Sequence, residues 1–279
     1  MNASSKARIQ MMSAAFLWSL GGVLIKLVEW NALAIAGMRS LIAALVIFAF
    51  LKKPVLTWSK EQVGGAIAYA CVMIFFVTST RLTTAANAAL LQFTSPIYIG
   101  LFSYFFLKER ITRIDWLTIV LVLLGMGLFF LDDLSFTSLR GNVLGMFTGI
   151  SFAAMVLMLR KQKDANPMES VLLGNLLAGF VTIPFMFNSM PSPASWLGLF
   201  LLGTVQLGLA YVLYATAVKQ LTAIESALIP VIEPLFNPIW VIIFVGEAPG
   251  LFTLVGGIMV VGGVTSRYLW HARNQIAVQ

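Results

Sequence analysis

Charged side chains are scarce in this sequence: Asp, Glu, Lys and Arg make up 10% of its 279 residues, and hydrophobic residues 59%. A water-soluble chain carries roughly a quarter charged residues, so the shortage excludes a soluble domain. Cysteine and histidine are almost missing too, with only Cys71 and His271. That excludes a disulfide framework and a Cys/His metal cluster, and neither a metal nor a cofactor is expected. The formal net charge is +7, yet the basic residues sit at the ends of apolar runs, where orientation signals lie. No basic and aromatic face is left for a nucleic acid; the expected partners are membrane lipid and a small molecule.

What the sequence has in abundance is long apolar runs. Read between polar breaks, they give spans at 9–28, 32–51, 62–80, 84–106, 114–131, 141–159, 168–188, 195–217, 221–245 and 250–269. Most are near the ~20 residues that a helix needs to cross the hydrocarbon. The first run follows Lys6 and Arg8 but is too long for a signal-peptide core and has no small-x-small cleavage site, so it reads as an uncleaved span. With ten spans, one side collects Lys6, Arg8, Lys52, Lys53, Lys60, Lys108, Arg110, Arg113, Arg160, Lys161, Lys163, Lys219, Arg267 and Arg273. The other side keeps Arg81 and Arg140. Lys and Arg in short loops favour the cytoplasm, which predicts a multi-pass protein with both termini cytoplasmic.

Shifting the chain by 138 residues lays Thr84, Ala85, Ala89, Leu90, Pro96, Phe106, Glu109 and Gly125 on Thr222, Ala223, Ala227, Leu228, Pro234, Phe244, Glu247 and Gly263. Each pair opens or closes the same element in its half. Five spans per half is an odd number, so the second half enters the membrane upside down. The expected fold is therefore an all-α membrane protein of ten transmembrane helices in two inverted five-helix repeats, 8–131 and 141–270. Inverted repeats of this kind are the architecture of alternating access.

The chain resembles the drug/metabolite transporter superfamily, in particular its ten-helix EamA-type members, over about residues 8 to 270. The residues that carry the resemblance are Phe16-Leu17-Trp18-Ser19, Arg39 ahead of Leu41-Ile42-Ala43-Ala44, and Thr94-Ser95-Pro96 running to Leu107-Lys108-Glu109. In the second half they are Glu233-Pro234 running to Val245-Gly246-Glu247, then Gly256-Gly257 and Gly262-Gly263. Phe152-Ala153-Ala154 departs from the pattern, since a tryptophan is common there. The resemblance implies a secondary transporter of the inner membrane, usually an exporter of amino acids or other metabolites, with a cavity among segments 1, 3, 4, 6, 8 and 9.

Polar and aromatic faces inside the spans give the candidate substrate-binding residues. At 100° per residue, Ser226, Pro230, Glu233 and Asn237 share one face of segment 9, which should look into the bundle. Pro230, Pro234 and Pro238 free backbone carbonyls beside it, as suits a cavity wall, though a merely kinked helix gives the same pattern. The offset maps this face onto Gln92 and Ser95, candidate hydrogen-bonders to substrate or helix–helix glue. Segment 8 offers Leu207, Tyr211, Tyr214 and Val218, and the offset pairs them with Tyr69, Met73, Phe76 and Thr80. Such faces suit an apolar group or a cationic head, or ordinary packing. Trp18 and Trp240 are further candidates, whereas Trp30, Trp58, Trp196 and Trp270 read as interfacial anchors. Arg39 and Glu233 sit deep, as a coupling or structural ion pair, while Lys26, Glu29 and Glu225 near helix ends read as snorkelling.

The reading is a metabolite exporter, monomeric or homodimeric, with protons as a coupling ion through Glu233. The alternatives are a passive channel or facilitator for small polar solutes, or an importer of the same superfamily. A channel wants a continuous polar ring, whereas polar residues here gather near the midplane. An intramembrane enzyme lacks a catalytic constellation at depth.

Overall fold

The computed structural model describes residues 3–131, 138–236 and 250–276. Expectations for Asn237, Pro238, Trp240, Phe244 and Val245-Gly246-Glu247 lie outside the described residues. Every regular element among the described residues is helical, because an apolar solvent leaves the backbone to satisfy its own hydrogen bonds. Eight helical stretches are long and apolar enough to cross a membrane, so the chain is an integral multi-pass membrane protein.

The first crossing is α1 (Ala3–Trp18) and α2 (Gly21–Leu27), interrupted at Ser19 and Leu20. Then come α3 (Ala32–Leu51), α4 (Lys60–Leu82), α5 (Ala85–Gln92) with α6 (Ser95–Leu107), and α7 (Arg113–Phe129). The second half runs α8 (Leu139–Lys161), α9 (Pro167–Met186), α10 (Pro193–Leu201), a π-helical stretch Leu202–Leu209, and α11 (Ala210–Ala217). It continues with α12 (Ala223–Leu228), a 3-10 stretch Ile229–Phe236, and α13 (Leu251–Ile276). α7, 17 residues long, spans about 26 Å at 1.5 Å per residue, close to the hydrocarbon thickness.

Helix starts follow local chemistry. The side chains of Asn31, Ser59, Thr84, Ser138 and Ser192 accept hydrogen bonds from the first-turn N–H groups of α3, α4, α5, α8 and α10. Thr112 with Asp115, and Thr222 with Glu225, form capping boxes on α7 and α12. Glu225, expected to snorkel, is thus held at a helix start.

Packing repeats between the halves. α4 lies along α8 as α11 lies along α1; α5 and α6 flank α8 as the 3-10 stretch flanks α1; α3 pairs with α9, and α7 with α13. Each half completes the other rather than folding as a separate lobe. Small residues let these helices close up: a Cβ on Gly256 would strike the backbone at Gly125 and Phe129. Large apolar side chains turn outward, among them Leu45, Phe105, Leu117, Phe180 and Ile258, which water would not tolerate and lipid does.

Both ends of the described chain lie at one end of the bundle, where the Arg8 guanidinium sits 4.6 Å from the Tyr268 ring centroid. This end is tied by charge. Glu109 accepts from Arg160 Nε at 2.9 Å and from the Ala223 N–H at 2.8 Å. Asp115 takes Arg267 Nε at 2.6 Å, and Glu225 takes Arg8 at 3.0 Å. At the opposite end Trp30, expected at the membrane interface, is buried and donates its indole N–H to Ser189 O at 2.7 Å. Trp58, Trp196 and Trp270 are exposed near helix ends.

Candidate functional site

Three broken crossings meet a continuous one at mid-bundle. α1 ends at Trp18, α5 at Gln92, segment 9 turns 3-10 at Ile229, and α4 runs past unbroken. The cavity between them is lined by Trp18, Arg39, Val72, Met73, Phe76, Gln92, Phe152, Gln206, Leu207, Tyr211 and Glu233. Its volume is about 30 Å³, room for roughly two waters. Ligand sites run to roughly 300 Å³ and more, so the side chains are closed in on one another.

One wall is aromatic. Trp18 lies 4.9 Å from Tyr211 and 5.2 Å from Tyr214, ring centroid to centroid, and Tyr69 meets Tyr211 edge-on at 4.7 Å. Phe152 lies 6.3 Å from both Trp18 and Tyr214, so the segment that departs from the family's tryptophan pattern still supplies a ring. Behind the wall, Asn175 Nδ2 donates to Tyr69 Oη at 2.9 Å, and Tyr214 Oη donates to Ser226 O at 3.4 Å.

The polar side gathers Arg39, Gln206, Gln92 and Glu233. Arg39 Nη1 donates to Gln206 Oε1 at 3.4 Å and Nη2 to Met73 O at 3.5 Å, while Gln206 Nε2 donates to Trp18 O at 3.5 Å. A direct Arg39–Glu233 ion pair is not formed: the two share the cavity, but no carboxylate lies within 4.0 Å of Arg39 among the described residues.

Of the residues singled out from sequence, Trp18, Arg39, Phe76, Gln92, Tyr211 and Glu233 line the cavity. Tyr69 and Tyr214 stand one layer back, and Ser95 and Ser226 are buried away from it. Of Ser226, Pro230 and Glu233, Glu233 reaches the cavity. The chain turns 3-10 at Ile229, where about 120° per residue sets Pro230 and Glu233 on one face and leaves Ser226, in α12, about 60° off it. Pro230 and Pro234 bring this about by withholding backbone donors. Asn237 lies outside the described residues. Met73 and Leu207, from the paired faces, line the cavity as well. Gln206 and Phe152 were not singled out as site residues; a glutamine inside an apolar span is itself a functional signal. Gly21 makes its room, since a Cβ there would lie 2.7 Å from Gln206 Nε2.

A bundle of apolar helices, broken at mid-depth around a polar and aromatic cavity, defines a membrane transport protein. The EamA-like transporter family model matches residues 5–131 and 139–266, and the chain belongs to that family. A pseudopaline exporter of Pseudomonas aeruginosa is 28% identical, over 89% of this chain and 90% of that one. A threonine/homoserine exporter of Salmonella typhimurium is 26% identical, over 78% and 75%. An uncharacterized transporter of Archaeoglobus fulgidus is 24% identical, over 90% and 92%. One crystal structure, 18% identical, superposes with a TM-score of 0.79 over 96% of this chain and 99% of that one, a likeness in fold.

Proposed function

We propose that this chain is a secondary transporter of the inner membrane that exports small metabolites, amino acids or related compounds first among them, by alternating access through the central cavity. The observation that carries the reading is the cavity itself: both halves supply its lining, and broken helices of both halves meet there. Residues 8–131 and 141–270 act as the two repeats, and rocking one against the other exposes the cavity to each side in turn. A channel is disfavoured by the closed packing of Trp18, Phe152 and Tyr211 around a space of a few waters. Exporters among the relatives favour the outward direction. Glu233, the acid in the cavity lining, couples transport by exchanging a proton or a substrate ammonium.

The experiment is counterflow in proteoliposomes loaded with unlabelled amino acids. A carrier accumulates labelled substrate transiently and saturates; a channel only equilibrates. Flux that rises linearly without counterflow overturns the carrier reading.

A further inference from the structure

Arg39 is 1% exposed and lies two turns inside α3. A guanidinium brings five N–H donors in a planar fork. Here its partners are all neutral and distant: Gln206 Oε1 at 3.4 Å, Met73 O at 3.5 Å and Met73 Sδ at 3.8 Å. Its Nε is buried with no acceptor at all. Trp18 Nε1, the indole donor of a second residue lining the same cavity, is likewise buried without an acceptor. Two orphaned donors on residues that line one small space call for a group that only accepts hydrogen bonds. A carboxylate does so with two oxygens and matches the guanidinium fork.

Charge narrows the class further. Among the lining residues Arg39 is the base and Glu233 the acid. With Glu233 ionised, a dianion such as phosphate leaves the closed site strongly negative, whereas a zwitterion keeps site and ligand neutral together, as burial demands.

We propose that Arg39 and the Trp18 indole N–H form the carboxylate-binding end of the central cavity, and that the transported compound is a zwitterion of the amino-acid type. Its carboxylate lies on Arg39, and its ammonium faces Glu233 and the aromatic wall. This rests on the cavity being the substrate site. The Arg39 side chain then has a charged partner when the site is loaded and neutral ones when it is empty.

The test is a ligand-dependent thermal shift on the purified full chain, since a ligand of the folded form raises its stability. The probes are the proteinogenic L-amino acids, their methyl esters, which lack the carboxylate charge, and their N-acetyl derivatives, which lack the ammonium. At least one free amino acid is expected to raise Tm, and its methyl ester to bind about 30-fold more weakly or worse, as for a lost buried charge partner. Arg39→Gln and Arg39→Lys should erase that preference, the latter because an ammonium has no fork. If Arg39→Gln does not fold, Trp18→Phe keeps a ring, removes the N–H, and should weaken the free acid but not its ester. Esters that bind as well as acids, an acid preference that survives in the foldable variants, or a wild type that answers to no carboxylate-bearing probe would overturn the proposal. N-acetyl compounds that bind through Arg39 while free amino acids do not would keep the carboxylate end and sink the zwitterion. Binding of esters alone would sink the carboxylate end yet leave the cavity a transport site.

Discussion

At the residue scale the site depends on a few side chains whose neighbours cannot replace them. Glu233 is the acid in the cavity lining, so Glu233→Gln, nearly equal in shape, is expected to stop transport at normal expression. Full transport by that variant from mildly acidic to mildly alkaline pH would refute the role. Arg39 and Glu233 do not pair directly, so combining Arg39→Met with Glu233→Gln should not restore what either change loses; recovery in the double variant would reinstate the ion pair. Gly21 makes a subtler test. Its added Cβ would push aside the far end of Gln206, a flexible group that can move at little cost. Gly21→Ala should therefore leave Tm almost unchanged and still weaken transport, because Arg39 loses its 3.4 Å contact to Gln206 Oε1.

Glu109 acts at the scale of elements. It follows the left-handed end of α6 at Lys108 and joins the end of α8 to the start of α12 through Arg160 and the Ala223 N–H. These are charge-assisted bonds between partly buried partners, each worth about 1.5–3 kcal/mol. Glu109→Ala should lower stability by about 2 kcal/mol, seen as a fall in Tm. Losing a tie between segments of the two halves should also shift the balance between conformations open to either side. A variant as stable as wild type would show that Arg160 finds other partners, such as Val218 O and Lys219 O, which it already contacts. Capping at this scale was legible, since Thr112-x-x-Asp115 and Thr222-x-x-Glu225 are sequence signatures of helix starts. The break after Gln92 was legible too, because Pro96 cannot donate to the Gln92 carbonyl four residues back; the π-helical stretch at Leu202–Leu209 was not, because no proline lies in or beside it.

At the scale of the whole molecule, the end that carries both termini is expected to face the cytoplasm. Cysteine labelling in a Cys71→Ser background checks this. Arg140 in the first turn of α8 and Lys163 two residues beyond its other end are exposed, so Arg140→Cys should react from outside intact cells and Lys163→Cys should not. The reverse pattern would invert the topology. Gln162 is a poor reporter of the same end, because it is buried against Ser170 and the Glu61 carbonyl.

Composition and periodicity determined the class of this protein. Too few charges for water, apolar runs of membrane length and the lysine and arginine asymmetry leave a helical membrane protein, because lipid admits little else. The internal repeat indicated two halves. Six of the cavity residues were legible as aromatic, ionisable or amide groups set deep in apolar spans. Which of those groups meet was decided by the tertiary structure. A helical wheel assumes a constant 100° per residue, and the bundle departs from it around the cavity: at Ser19, after Gln92, at Leu202 and from Ile229. Gln206 comes to the cavity from the π-helical stretch, Ser226 stays outside the lining in the regular turn before the 3-10 stretch, and Arg39 reaches Gln206 and Met73 rather than Glu233. Contacts between residues more than a hundred positions apart, as Arg39 and Gln206 are, depend on how the two halves pack, and no local pattern in the sequence encodes that.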